Sequence, residues 1–125
     1  MSKEPLLFPT PAPRDYSKTA RIRELNDLAR TAMGVAGRVF QTAGINALPW
    51  QVQSKIRERV ETFDQFTPDN DPYGEHDFGS FEVNDVGKVF WKIDYYDKQL
   101  ERGSEDPSDP AQTTRVLTIM LAEEH

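Results

Sequence analysis

The chain has 125 residues, 37% hydrophobic content, no cysteine and a formal net charge of −6, the proportions of one small domain. The missing cysteines exclude a disulfide framework, a thiolate metal site and a cysteine nucleophile, and the apolar runs are far shorter than the roughly 20 residues that span a bilayer. The net charge conceals unequal halves: residues 1–60 hold ten Lys/Arg against five Asp/Glu, a net of +5, and residues 61–125 hold five against sixteen, a net of −11.

Residues 1–16 contain Pro5, Pro9, Pro11 and Pro13, which fix φ and remove backbone donors, so the spacing predicts a flexible or polyproline-like arm ahead of a single domain over 17–125. Leu6, Leu7 and Phe8 run straight into prolines and form no leader pattern, which points to the cytoplasm. From Ser17 to Met33 the residues Ile22, Leu25, Ala29 and Ala32 recur at helical spacing, widened by Leu28 and Met33, with Arg23, Glu24, Asp27 and Arg30 mostly opposite and Gly34 as a left-handed stop. Arg38–Thr42 reads as one strand. Pro49 fits the first turn of a second helix, whose Val52, Ile56, Val60 and Phe63 share a face while Gln51, Lys55, Glu58 and Arg59 are solvated.

A hairpin follows, with strands over 78–84 and 88–95 and Asp85-Val86-Gly87 as a three-residue loop. That loop pairs Val83 with Val89, Phe81 with Trp91, Ser80 with Lys92 and Glu82 with Phe90, and sets Asp94 opposite Phe78. Asp109-Pro110 signals a helix start, giving a final helix over 110–123 with Val116, Leu117, Met120 and Leu121 inward. The β-branched residues Thr113, Thr114, Val116, Thr118 and Ile119 keep a strand open as the alternative over 113–122. Trp50 and Trp91 are expected in the core; an exposed Trp50 would instead mark an interface anchor.

The most unusual stretch is Thr67–Gly79, with Asp69, Asn70, Asp71, Glu75, His76 and Asp77 close together. Asp69, Asp71 and Gly74 match positions 1, 3 and 6 of an EF-hand, but Tyr73 and Ser80 stand where positions 5 and 12 need ligands. A metal centre built from Asp71, His76 and Asp94, with acid–base work by Glu75 and His76, is chemically conceivable but starved of histidine, the only other one being His125. The plainer reading is a loop whose Asp and Asn side chains bond its own backbone. Asp94-Tyr95-Tyr96-Asp97 is a second cluster; strand alternation puts Asp94 and Tyr96 on one face, near Glu75–Asp77. Arg21, Arg23, Arg30, Arg38, Lys55, Arg57 and Arg59 fit no nucleic-acid-binding pattern, which argues with the net charge against direct nucleic-acid binding.

The strings Thr67–Gly79, Val89–Asp97 (Val-Phe-Trp-Lys-Ile-Asp-Tyr-Tyr-Asp) and Thr114–Glu124 together resemble a family of small proteins of unknown function from alphaproteobacterial plasmids and integrative elements. The similarity covers residues 20–124 and brings no catalytic residues to transfer. It implies an accessory protein of a mobile element, of the kind that evades restriction or CRISPR defence, and the end at His125 implies a complete single domain. The resulting expectation is an α+β fold, a small antiparallel sheet of a hairpin plus one strand with two or three helices on one face. Its expected function is a non-enzymatic interaction module without cofactor, binding a basic protein surface through Asp69, Asp71, Tyr73, Glu75, Asp94, Tyr96 and Asp97, with no membrane association and a homodimer left open. The alternative is a divalent-metal-dependent hydrolase or nuclease using the Asp69–Asp77 loop.

Overall fold

The structure is a computed structural model that describes residues 16–125. The arm read over residues 1–16 lies outside this range apart from Tyr16, which opens helix α1 (Tyr16–Thr31). There follow β1 (Arg38–Gln41), the single turn α2 (Ala43–Asn46), α3 (Trp50–Glu61), β2 (Phe78–Val83), β3 (Gly87–Tyr96), β4 (Thr114–Leu121) and a 3-10 turn at Ala122–Glu124. The strands form one sheet of order β1-β4-β3-β2, with β1 parallel to β4 and the other pairs antiparallel. No helix among the described residues is long and apolar enough to cross a membrane.

Strand alternation sorts the side chains into two faces. One face carries Val39, Leu117 and Ile93 in a row across the sheet, then Gln41, Ile119, Trp91 and Gly79, then Leu121, Val89 and Phe81. Ala29 of α1, Ile45 of α2, and Ile56 and Val60 of α3 pack onto this face and close a single core around Trp91, where each fully buried large aliphatic contributes roughly 1.5–3 kcal/mol. The opposite face carries Phe40, Thr118, Lys92 and Phe78 in one row and Arg38, Val116 and Asp94 in the next. The fold is thus mixed α and β with its helices on one face, as the patterning predicts, but the sheet has four strands instead of a hairpin plus one.

The additional strand is β4, which replaces the helix expected over 110–123. The cap signal is real: Ala111 N–H donates to Asp109 Oδ1 at 2.9 Å and Gln112 N–H to the Asp109 carbonyl at 3.1 Å. The turn ends there because the β-branched run that follows suits an extended chain and finds β1 and β3 on either side. Val116, Leu117, Ile119 and Met120 are all buried, as suits a central strand paired on both sides. That run also satisfies helical spacing, which is why the pattern misleads.

The hairpin forms two residues out of the expected register. Phe81 pairs with Val89, Ser80 with Phe90, Glu82 with Lys88 and Gly79 with Trp91, and Phe78 faces Lys92 where Asp94 was expected. A shift of two preserves the faces, and Trp91 accounts for it: a Cβ at Gly79 would lie 2.7 Å from the indole Cε2, so the glycine sits where the large ring crosses β2. The connection becomes Asn84-Asp85-Val86, with Asp85 at φ 67° and Gly87 at φ 109°. In α1 the buried residues are Ile22, Asn26, Ala29 and Arg30, whereas Leu28 is exposed; the buried stripe is rotated toward two polar positions. The α3 stripe of Ile56, Val60 and Phe63 is buried as predicted, and of the two tryptophans Trp91 is in the core while Trp50 is 73% exposed.

Candidate functional site

Residues 64–77, which join α3 to β2, are organised by their own side chains. Thr67 N–H donates to Asn70 Oδ1 at 2.8 Å, Asn70 Nδ2 to the Gln65 carbonyl at 2.8 Å, and Gly74 N–H to the Asp71 carbonyl at 3.1 Å. These are the local bonds through which Asn and Asp stabilise turns. His76 has φ 57°, which breaks the strand alternation, so Glu75 and His76 both meet α1. The His76 N–H donates to Asp71 Oδ1 at 3.0 Å. Its ring stacks on Phe66 with centroids 3.7 Å apart, and places Nδ1 2.9 Å from Asp27 Oδ1 and Nε2 3.6 Å from Asp71 Oδ2.

Helix α1 supplies the other half of the arrangement. Asn26, fully buried, donates through Nδ2 to the Glu75 carbonyl at 3.0 Å and the Tyr95 hydroxyl at 2.8 Å, and accepts on Oδ1 from Arg115 Nε at 2.7 Å. The Tyr95 hydroxyl donates onward to Glu75 Oε1 at 2.8 Å, and Arg23 donates to the Gly74 carbonyl at 2.9 Å. On the other side of the helix Arg115 donates to the Pro107 carbonyl and Lys18 lies 3.6 Å from Asp106. Helix α1 therefore holds the 64–77 loop directly and touches the 97–112 loop through Lys18 and, by way of Asn26, through Arg115.

Burial governs the electrostatics of this network. It raises the Asp77 carboxyl above the ordinary range, helped by the nearby charge of Glu75, and holds the Tyr95 hydroxyl protonated well above the usual tyrosine range, with Glu75 as acceptor adding to the effect. It also lowers the Arg115 guanidinium, against the favourable charge of Glu75. Glu75 is engaged by a tyrosine that keeps its proton, and His76 is held between carboxylates and an aromatic ring. Such an arrangement fixes loop geometry.

Asp94 and Tyr96 stand apart from the loop. Asp94 lies on the sheet face opposite the helices, with Lys92 Nζ 2.5 Å from its Oδ2. Both line a cleft of about 650 Å³ floored by Val116, Thr118 and Met120 and rimmed by Phe40. Asp97 caps the next turn, its Oδ1 accepting the Glu101 N–H at 2.9 Å. Strand alternation is the reason: Tyr95 lies on the helix-covered face, where the shifted register brings it opposite Glu75, and Asp94 and Tyr96 keep the other face. The sequence-derived set thus divides into Asp69, Asp71, Tyr73, Glu75 and His76 on the 64–77 loop, where Glu75 and His76 bond α1, and Asp94, Tyr96 and Asp97 elsewhere. The metal set of Asp71, His76 and Asp94 is not assembled, and among the described residues no group of three or more His, Asp or Glu could hold a metal.

Asn26, Arg30 and Arg115 are the residues the patterning missed. Asn26 lies four residues after Ile22 and three before Ala29, on the apolar stripe itself, and a polar residue there is a readable sign of a buried hydrogen-bond hub. Arg30, 4% exposed, donates to the Val60 and Phe63 carbonyls at 2.8 and 2.9 Å, satisfying the free carbonyls at the end of α3.

A family model described as "Protein of unknown function (DUF3768)" matches residues 41–124, two thirds of the 125-residue chain. No curated protein and no solved structure matches the chain.

Proposed function

The chain belongs to that family of proteins of unknown function, and from its geometry we propose that it is a non-enzymatic interaction module that binds a basic protein surface with its acidic end. The observation that carries this reading is the contact of α1 with both acidic loops. Residues 64–77 hold five carboxylates and no Lys or Arg, residues 97–112 hold five against two, and α1 touches both segments. Asp64, Asp69, Glu101 and Glu105 are exposed on these two segments, and Tyr73, 65% exposed, adds the aromatic contact that interfaces favour. Asp71 and Glu75 serve this surface indirectly, by holding the loop in shape. A setting in mobile-element counter-defence, which the sequence resemblance implies, fits a partner whose basic surface ordinarily meets nucleic acid.

The test is capture of partners from an extract of the source cells by the full chain and by a variant carrying Asp64→Asn, Asp69→Asn, Glu101→Gln and Glu105→Gln. The identified partner is expected to bind the variant at least about tenfold more weakly, with its affinity for the unaltered chain falling as salt rises. Equal affinity for both chains at unchanged Tm would overturn the acidic-end interface.

A further inference from the structure

We propose that His76 is a proton-operated latch on the 64–77 loop: a second ring proton, taken up at Nε2, ties the turn together through Asp71, and its loss at higher pH loosens the turn. The ring stands between two carboxylates, with Nδ1 2.9 Å from Asp27 Oδ1 and Nε2 3.6 Å from Asp71 Oδ2. A neutral imidazole carries one N–H and serves one of them; the imidazolium serves both.

The geometry places the single proton of the neutral ring. At 2.9 Å the contact with Asp27 is a hydrogen bond, and a carboxylate only accepts, so Nδ1 carries a proton in either state. Nε2 of the neutral ring then turns a lone pair toward Asp71. Asp27 has Arg30 Nη2 at 3.0 Å from the same oxygen and a side chain 41% exposed, so its charge is met whatever the state of the ring. Asp71 is placed differently: its side chain is 7% exposed, and its one ion pair among the described residues is with His76. A buried carboxylate needs such a partner, so the second proton acts at Asp71.

The backbone makes this contact matter for the loop. Gly74 and His76 have φ 72° and 57°, so the chain turns through two left-handed residues around Glu75. A non-glycine residue stays in that region when its surroundings hold it. His76 is held by its N–H bond to Asp71 Oδ1, by Phe66 stacked on its ring and by the two carboxylates. Asp71 also accepts the Gly74 N–H on its carbonyl and donates its own N–H to the Thr67 carbonyl at 2.8 Å, so release of its side chain loosens the turn from residue 67 to residue 76. The other charged groups at this corner are Arg23 of α1, on the Gly74 carbonyl, Glu75, which accepts the Tyr95 hydroxyl, and Asp77, which feels Glu75, Asp71 and Asp94 of β3. Of these side-chain types imidazole is the one that ordinarily changes charge between about pH 5 and about pH 8. The latch governs the turn that carries Asp69 and Tyr73; its effect on partner binding rests on the acidic-end reading, and the latch itself does not.

The full chain, labelled with ¹⁵N, is measured alone at about pH 5 and about pH 8. Long-range proton–nitrogen spectra are expected to show His76 as the Nδ1–H tautomer at the higher pH and protonated on both nitrogens at the lower, with His125 as the internal comparison. Amide exchange at Gly74 and His76, corrected for the intrinsic dependence of exchange on pH, should be about tenfold faster at the higher pH. Asp71→Asn sets an amide donor opposite the bare nitrogen, so it should hold the turn at both pH values and erase the difference, whereas Asp77→Asn should leave it in place. An Nε2–H tautomer at the higher pH, equal corrected exchange at the two pH values, a difference that survives Asp71→Asn or one that vanishes in Asp77→Asn would each overturn the latch. No partner enters these measurements, so they decide the latch separately from the acidic-end interface.

Discussion

Asn26 has no exposed surface and bonds to Glu75, Tyr95 and Arg115, residues from three separate segments of the chain. Replacing it with alanine leaves a buried guanidinium N–H, a carbonyl and a hydroxyl short of a partner, and a buried group left so costs about 1–3 kcal/mol. Asn26→Ala should therefore destabilise the fold by about 3 kcal/mol, measured by urea unfolding, and should loosen both acidic loops, seen as faster amide exchange at Gly74 and Glu75. Gly79 tests a different kind of dependence. Its Cα sits against the Trp91 indole, so Gly79→Ala should cost about 2 kcal/mol through overpacking. In a Trp91→Leu background the same change should cost much less, a coupling that a double-mutant cycle measures. Neither dependence is visible as a property of the residue alone, although a polar residue on an apolar stripe and a glycine inside a strand are both signs to look for.

Among the elements, α3, β1 and the existence of the hairpin are legible because the information that defines them is local. The stripe of Ile56, Val60 and Phe63 and the turn glycine Gly87 need no distant partner to be read. β4 is different: its β-branched run has a helix cap in front of it and fits both periods, and the decision rests on β1 and β3, which flank it in space. The end of β4 is fastened to α2 by Glu124, whose carboxylate accepts the Thr42 hydroxyl at 2.5 Å, the Leu121 N–H at 2.9 Å and the Gly44 N–H at 2.9 Å. Those bonds, the Thr42 hydroxyl foremost, hold its pKa below the ordinary 4.5. A depressed folded pKa contributes stability that is present above the unfolded value and is lost as pH falls through the folded one. Acidification below the ordinary glutamate range should accordingly release this fastening, with the Gly44 and Leu121 amide resonances titrating together, and Glu124→Gln should abolish that titration.

For the whole molecule, charge that is split along the chain is not split the same way in space. Of the basic residues of α1, Lys18 and Arg23 bind the acidic loops and Arg30 the end of α3, while Lys55 and Arg57 line a cleft beside Val39 of β1. The α+β class, the helix-covered face of the sheet and the self-bonded loop at Asp69–His76 follow from composition, periodicity and turn chemistry, which act over a few residues and can be read in order. The register of β2 on β3, the strand at 114–121 and the partition of Glu75 from Asp94 do not, because each is settled by contacts between segments far apart in the chain. The fit of Trp91 over Gly79 accompanies a pairing shifted by two residues, and that shift brings Glu75 opposite Tyr95, while Asp94 keeps the other face that alternation gives it. The sequence by itself determined which side chains prefer burial, turns or water; only the packed sheet, where large rings and unpaired strands must find partners, decided which of them meet.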